Sequence, residues 1–369
     1  MDPHVHLRDL DWSHKATAES ETAAALAGGY WAVLDMPNTP PATISRARLA
    51  EKSARFAGSA RCDFGLYLGA AQHGRARKDA AQHGDAQPGS ERSGNQAEYT
   101  AAEASSVGLK VYCDPTTGDL LVADHADRVT HIQAWRAASR KPIAVHAEGA
   151  SIADVLAVMR DVDAHVHFCH VSAADEIRHL RDAKRDGLRL SVGVTPHHLY
   201  LTDEDAARLG PYGLVRPPLR ARADLEALWQ GVADGTVDVI ESDHAPHTRA
   251  EKESGAPPHG LPGLETTLPL MALAVHEGRI TQQRLVELLA TNAQRIFGLV
   301  APDETYTLVE LDSTYVIEER DLRCAVGWTP FAGLRVWGRV REVRIRGRTA
   351  FDGEEVRAAP GEGRDVAWS

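Results

Sequence analysis

The sequence predicts an α/β fold: a (β/α)₈ TIM-type barrel with a small C-terminal β appendage. Three observations predict it. Eight short apolar runs recur along the chain, most of them unbroken by polar residues, as in parallel strands buried on both faces. Alanine-rich stretches of helical period separate several of these runs, and that alternation specifies helices wrapped around a parallel barrel. The runs also tend to end in residues able to bind metal or substrate. The C-terminal ends of barrel strands are where such a fold builds its active site.

The expected strands are 3–7, 31–36, 62–68, 107–113, 142–147, 165–171, 188–194 and 237–242. Helical patterns cover 17–27, 46–57, 123–138, 152–159, 174–185 and 225–232, with Gly28-Gly29 and Gly187 as helix stops. Residues 1–304 thus form the barrel. Within it, 70–104 is polar, and Ala70-Ala71-Gln72-His73-Gly74 recurs as Ala80-Ala81-Gln82-His83-Gly84. This reads as a duplicated surface insertion, with His73 and His83 solvated rather than ligating. From 305 to 369 the texture turns to β, with 306–311, 334–343 and 345–351 as strands of a small appended domain.

Composition narrows the function classes. A chain of 369 residues, 43% of them apolar, can bury one large core with an appendage. A net charge of −11 argues against a nucleic-acid partner. Cys62, Cys113, Cys169 and Cys324 are widely spaced with no CxxC, which fits reduced thiols in a cytoplasm. No run approaches the roughly 18 apolar residues of a membrane span, and no signal peptide is visible. The expectation is a soluble, cytosolic protein.

The chemistry concentrates in six residues. In Asp2-Pro3-His4-Val5-His6-Leu7-Arg8, two histidines at i and i+2 on a strand point to one face and can reach one ion. Lys110, His146, His170 and Asp243 lie at or near the ends of other apolar runs. Such nitrogen and carboxylate donors suit zinc, and an open coordination position makes a site catalytic. Lys110, in Gly108-Leu109-Lys110-Val111-Tyr112, would bury an ammonium at a cost on the order of several kcal/mol unless paired or neutralised. Carboxylation by CO₂ would resolve this, since a carbamate is anionic and can bridge two cations. Paired metals polarise a carbonyl and supply hydroxide near neutral pH. Asp243 could bind one of them through one oxygen and shuttle a proton with the other. His167, His197, His198 and His244 read as structural or supporting residues.

At these residues the chain resembles the amidohydrolase superfamily, and within it the dihydroorotases. The likeness is nearest to the dihydroorotase domain of the animal multifunctional pyrimidine-synthesis protein and its bacterial relatives. It rests on His4-Val5-His6-Leu7-Arg8, Met36-Pro37-Asn38-Thr39, Gly108-Leu109-Lys110, His146-Ala147-Glu148, Cys169-His170-Val171, Pro196-His197-His198-Leu199, Ser242-Asp243-His244-Ala245-Pro246-His247 and Pro262-Gly263-Leu264-Glu265-Thr266, in order. Trp328-Thr329-Pro330-Phe331 and Pro360-Gly361 fit too. The resemblance implies two zinc ions: His4, His6 and Asp243 on the more buried one, His146 and His170 on the other, with carboxylated Lys110 and a hydroxide between. It implies reversible interconversion of L-dihydroorotate and N-carbamoyl-L-aspartate in de novo pyrimidine synthesis. A homodimer is the family expectation, and association with aspartate transcarbamoylase a possible partnership.

The substrate's carboxylate requires a cation, and Arg8 offers a planar fork that shares the strand face of His4 and His6. The resemblance assigns Arg8, Asn38 and His247 to the carboxylate and ring, and Arg216 and Gly263 to further substrate contacts. Thr116 and Thr117 fall where the family has a loop that covers substrate. Hydantoinases and allantoinases share the barrel and metal pattern but generally lack the arginine after His-x-His. A catalytically silent scaffold would be expected to lose ligands, and all six are present. Two departures stand out. The run after Arg8 is Asp9-Leu10-Asp11-Trp12, where the family usually has an early proline, and the chain begins almost at its first ligand. Either a start further upstream or a barrel with a clipped first strand is expected. Gly193 stands where the animal domain has an acidic residue beside its metal site, so no third zinc involving Cys169 is expected.

Overall fold

The eight apolar runs pair in chain order as a single parallel sheet, β1 to β8. In this computed structural model, which describes residues 1–71 and 91–367, the strands are β1 (Asp2–Val5), β2 (Ala32–Asp35), β3 (Asp63–Gly69), β4 (Gly108–Tyr112), β5 (Ile143–His146), β6 (Val166–Phe168), β7 (Leu190–Val194) and β8 (Val239–Ile240). Every residue of these strands is buried, which explains the unbroken apolar runs. The sheet closes on itself beyond β8, where Val5 bridges His244 in parallel and the His6 N–H donates to the His244 carbonyl at 2.7 Å.

Eight principal helices follow the strands: α1 (Ala18–Ala27), α2 (Arg46–Ala57), α3 (Glu91–Ala102), α4 (His125–Ala138), α5 (Ala150–Asp161), α6 (Ala174–Arg185), α7 (Arg222–Asp234) and α8 (Leu264–His276). Their ends follow capping chemistry. The Thr17 hydroxyl accepts from the Ser20 N–H at 3.1 Å to start α1. The chain leaves that helix through Gly29, at φ 90°, a conformation glycine adopts without a Cβ clash.

The structure departs from the sequence reading at several elements. β1 ends at Val5, so His6 lies just past the strand rather than within it. β8 is short, Val239–Ile240; beyond it the Ser242 N–H turns to the Asp2 carboxylate and Asp243 takes a left-handed backbone at φ 44°. Residues 91–102, read as part of the polar insertion, form α3 and pack against α2 and α4. Tyr99 is buried there, its hydroxyl 2.6 Å from His131 Nδ1. The repeat containing His73 and His83 spans residues outside those described. α8 had no sequence signal because Pro269 lies inside it and apolar residues cover most of its surface.

The appendage is a three-stranded antiparallel sheet in the order β11-β10-β9: β9 (Tyr306–Val316), β10 (Arg335–Ile345) and β11 (Arg348–Phe351). β9 runs through Asp312 and Ser313 because it is an edge strand with one solvated face, where polar residues alternate freely. α8 packs on β10. The connecting segment reaches the barrel mouth, where Trp328 Nε1 donates to the His247 carbonyl at 2.8 Å. Among the described residues no helix is long and apolar enough to cross a membrane. All four cysteines are buried and unpaired.

Candidate metal centre

Parallel strands converge at their C-terminal ends, and the six predicted ligands come together there. His4 lies within β1 and His6 follows it, Lys110 lies within β4, His146 closes β5, His170 lies just beyond β6, and Asp243 beyond β8. Three pocket residues have left-handed backbones: Arg8 (φ 64°), His170 (φ 37°) and Asp243 (φ 44°). Each costs about 1–3 kcal/mol in a residue with a side chain, strain that clusters where geometry serves function.

The donors form two adjoining groups. His4 Nε2 and His6 Nε2 each lie 3.3 Å from Asp243 Oδ1, and these three donors fall within 4.8 Å of one another. His146 Nδ1 lies 3.1 Å from His170 Nε2. The rings of His4 and His170, one from each group, have centroids 5.0 Å apart. Two nitrogens on one tetrahedral zinc, with bonds of about 2.0–2.1 Å, stand about 3.3 Å apart, so both groups fit a cation each. His170 Nδ1 is buried without a hydrogen-bond partner.

Burial shifts His4, His6 and His170 toward the neutral imidazole, the form a cation needs. Burial, then the Lys110 charge, pulls His4 down to about 4. Burial and the Arg8 charge hold His6 well below the ordinary imidazole range, and burial with the His146 charge does the same for His170. Burial raises the Asp243 carboxyl, against the opposing pull of His4. Lys110 is wholly buried, and its Nζ donates to Cys169 Sγ at 3.2 Å. Among the described residues no carboxylate forms an ion pair with it. Cys169, expected to have no metal role, groups with His4 and Glu241 within 4.8 Å, although burial pushes its thiol up to about 12.

Arg8, Asn38, Thr116, Thr117 and Arg216 line the pocket over these donors. Arg8 is buried, with Nε donating to the Pro246 carbonyl at 3.1 Å and Nη2 3.1 Å from His247 Nε2. Its Nη1 is buried and unsatisfied. Burial draws this guanidinium down to about 10, still a cation at neutral pH. Asn38 joins the metal donors to the loop: its Oδ1 lies 2.7 Å from His6 Nδ1, and its Nδ2 donates to the Thr117 carbonyl at 2.9 Å.

Two predicted contacts lie behind the lining. His247 is wholly buried beside Arg8, with Nδ1 3.2 Å from Lys15 Nζ. Gly263 donates its N–H to His244 Nδ1 at 3.1 Å, and a Cβ there would sit 2.8 Å from the Ser242 carbonyl oxygen. Sequence reading missed Tyr112, His259 and Gly260 in the lining; His259 sits among prolines and glycines with no periodicity to flag it. Two of the histidines read as supporting residues are held by nearby groups. His244 Nε2 meets Glu21 Oε2 at 2.7 Å, and His198 Nε2 meets the Pro217 carbonyl at 3.1 Å.

A closed parallel barrel with two groups of metal donors and an unsatisfied Arg8 nitrogen at its mouth is an architecture of the amidohydrolase type. The L-hydantoinase of Arthrobacter aurescens superposes with a TM-score of 0.88 at 25% identity, covering 99% of this chain and 87% of that one. No family model matches the chain. The dihydroorotase of Pyrococcus furiosus is 34% identical over 98% of this chain and 82% of its own length. By that likeness the chain belongs to the dihydroorotase family. The multifunctional protein pyr1-3 of Dictyostelium discoideum is 40% identical over 99% of this chain, which spans 15% of that protein.

Proposed function

We propose that this chain is a dihydroorotase that interconverts L-dihydroorotate and N-carbamoyl-L-aspartate, a step of de novo pyrimidine synthesis. The observation carrying this reading is the unsatisfied Arg8 Nη1, buried in the pocket lining over two groups of metal donors. A buried donor without a partner costs about 1–3 kcal/mol, and a substrate carboxylate would repay it.

The proposed cofactors are two Zn²⁺ ions, held by His4, His6 and Asp243 on one side and His146 and His170 on the other. Lys110, carboxylated by CO₂, would lie between them. The buried amine, with no carboxylate partner among the described residues, supports that modification. Bound there, two divalent cations would polarise the ring carbonyl and activate a water. The protein's own residues do the rest. Arg8 donates to the carboxylate from its free Nη1, and Arg216, Asn38 and the Thr116-Thr117 loop orient the ring and exclude water. Asp243 takes the proton from the attacking water at one carboxylate oxygen and returns it to the leaving ring nitrogen.

The likeness to a hydantoinase favours one alternative, a hydantoin or dihydropyrimidine hydrolase. A scaffold without activity is the other, and the complete donor set argues against it. One preparation decides: metal content measured with turnover of dihydroorotate, dihydrouracil and allantoin. Zinc with preference for dihydroorotate supports the proposal; preference for an uncharged ring overturns it. A homodimer, contact with aspartate transcarbamoylase and a cytoplasmic location complete the proposal, and sedimentation with and without the transcarbamoylase tests the first two.

A further inference from the structure

Glu241 takes no part in the chemistry above, yet its side chain is wholly buried beneath the donor groups, just past β8. One carboxylate oxygen, Oε2, accepts from His167 Nε2 at 3.1 Å and faces His4 Nδ1 at 3.7 Å. The other, Oε1, accepts the backbone N–H of His170. His4 belongs to one donor group and His170 to the other, so a single carboxylate touches both halves of the site.

The neighbouring sequence makes room for it. A Cβ built on Gly193 in β7 would lie 2.5 Å from Glu241 Oε1, 2.6 Å from its Cδ and 2.9 Å from Oε2. The carboxylate therefore lies flat over a glycine, in space that any larger residue would take. Ser191, on the same strand, lies 2.9 Å from His167 Nδ1 through its hydroxyl, which can donate to that nitrogen when Nε2 donates to Glu241. An anion there favours a proton on His4 Nδ1, which leaves Nε2 free to face Asp243 and a cation. The same anion secures the left-handed backbone of His170 through its N–H.

We propose that Glu241 is a positioning residue that locks the His4 and His170 limbs into one rigid metal-binding unit. The inference rests on the metal-site reading above, and its test reads cation affinity rather than turnover. Cobalt(II) is titrated into metal-free protein against a competing chelator and followed by visible absorption, for wild type, Glu241→Gln and Gly193→Ala. Glutamine keeps the shape but cannot accept at both oxygens; the alanine methyl displaces the carboxylate without removing it. Each variant is expected to bind cobalt 10- to 100-fold more weakly, the usual consequence of removing a residue that orients a ligand, while the metal-free proteins melt cooperatively. Should Glu241→Gln fail to fold, Gly193→Ala decides. Lowered melting temperatures with unchanged cobalt affinity would mark Glu241 as merely structural and overturn the proposal. Wild-type protein that binds no cobalt would overturn the metal-site reading itself.

Discussion

Replacing Arg8 by lysine separates recognition of a carboxylate from the rest of catalysis. The guanidinium is buried with two of its nitrogens engaged, Nε on the Pro246 carbonyl and Nη2 beside His247, while Nη1 is free in the pocket. Lysine keeps a cation but offers a point charge in place of a fork, and it abandons the Pro246 carbonyl. The loss amounts to one charge-assisted hydrogen bond to substrate, about 2 kcal/mol, or roughly a 30-fold fall in kcat/KM for dihydroorotate. Dihydrouracil has the same ring amide without the carboxylate, so its slower turnover should change less than about threefold. The assay is steady-state hydrolysis of both compounds at one metal loading. Equal losses on the two substrates would show that Arg8 shapes the pocket rather than gripping an acid, and the specificity argument would fail.

Other substitutions probe the remaining parts. Asp243→Ala should lower kcat by at least about 10²–10⁴, the range expected when a general acid–base is removed, in turnover measured alongside metal content. Lys110→Ala should eliminate both turnover and a carbamate resonance seen in the wild type by carbon NMR with labelled bicarbonate; wild-type protein without that resonance would refute the modification. Glu265 tests pH linkage in the joint between barrel and appendage, where its carboxylate accepts the N–H groups of Arg323 and Cys324. Burial raises its pKa from 4.5 to about 7, so the folded state binds more protons than the unfolded chain between those values. Stability from this group is therefore present below pH 4.5 and lost as pH rises through 7. The full shift would correspond to about 3 kcal/mol, and partial exposure reduces that to about 1–2 kcal/mol. Urea unfolding at pH 5 and 8 should show this slope in the wild type and a flatter one in Glu265→Gln.

Local pattern made much of this protein legible before any coordinates. Strands buried on both faces must be apolar throughout, so β2 to β7 announced themselves, and the helical pattern over 17–27 with its stop at Gly28-Gly29 marked α1 to within a residue. His4 and His6 were readable as a pair because their spacing is itself a geometric statement. Lys110 stood out because an amine amid Leu109 and Val111 has no ordinary explanation. The illegible parts depend on partners distant in sequence. α8 conceals itself behind Pro269 and an apolar surface, because it is wedged between the barrel and β10. β9 reads as broken at Asp312 because its solvated face tolerates charge.

The amino-acid sequence alone determined the donors and the alternation that would bring strand ends together, since both are written in residue type and period. Only the tertiary structure decided that His247 stands behind Arg8, that one Arg8 nitrogen is left without a partner, and that Glu241 occupies the space above Gly193. Such contacts join strands that the chain separates widely, and their distances are set by closure of the barrel rather than by any neighbouring residue.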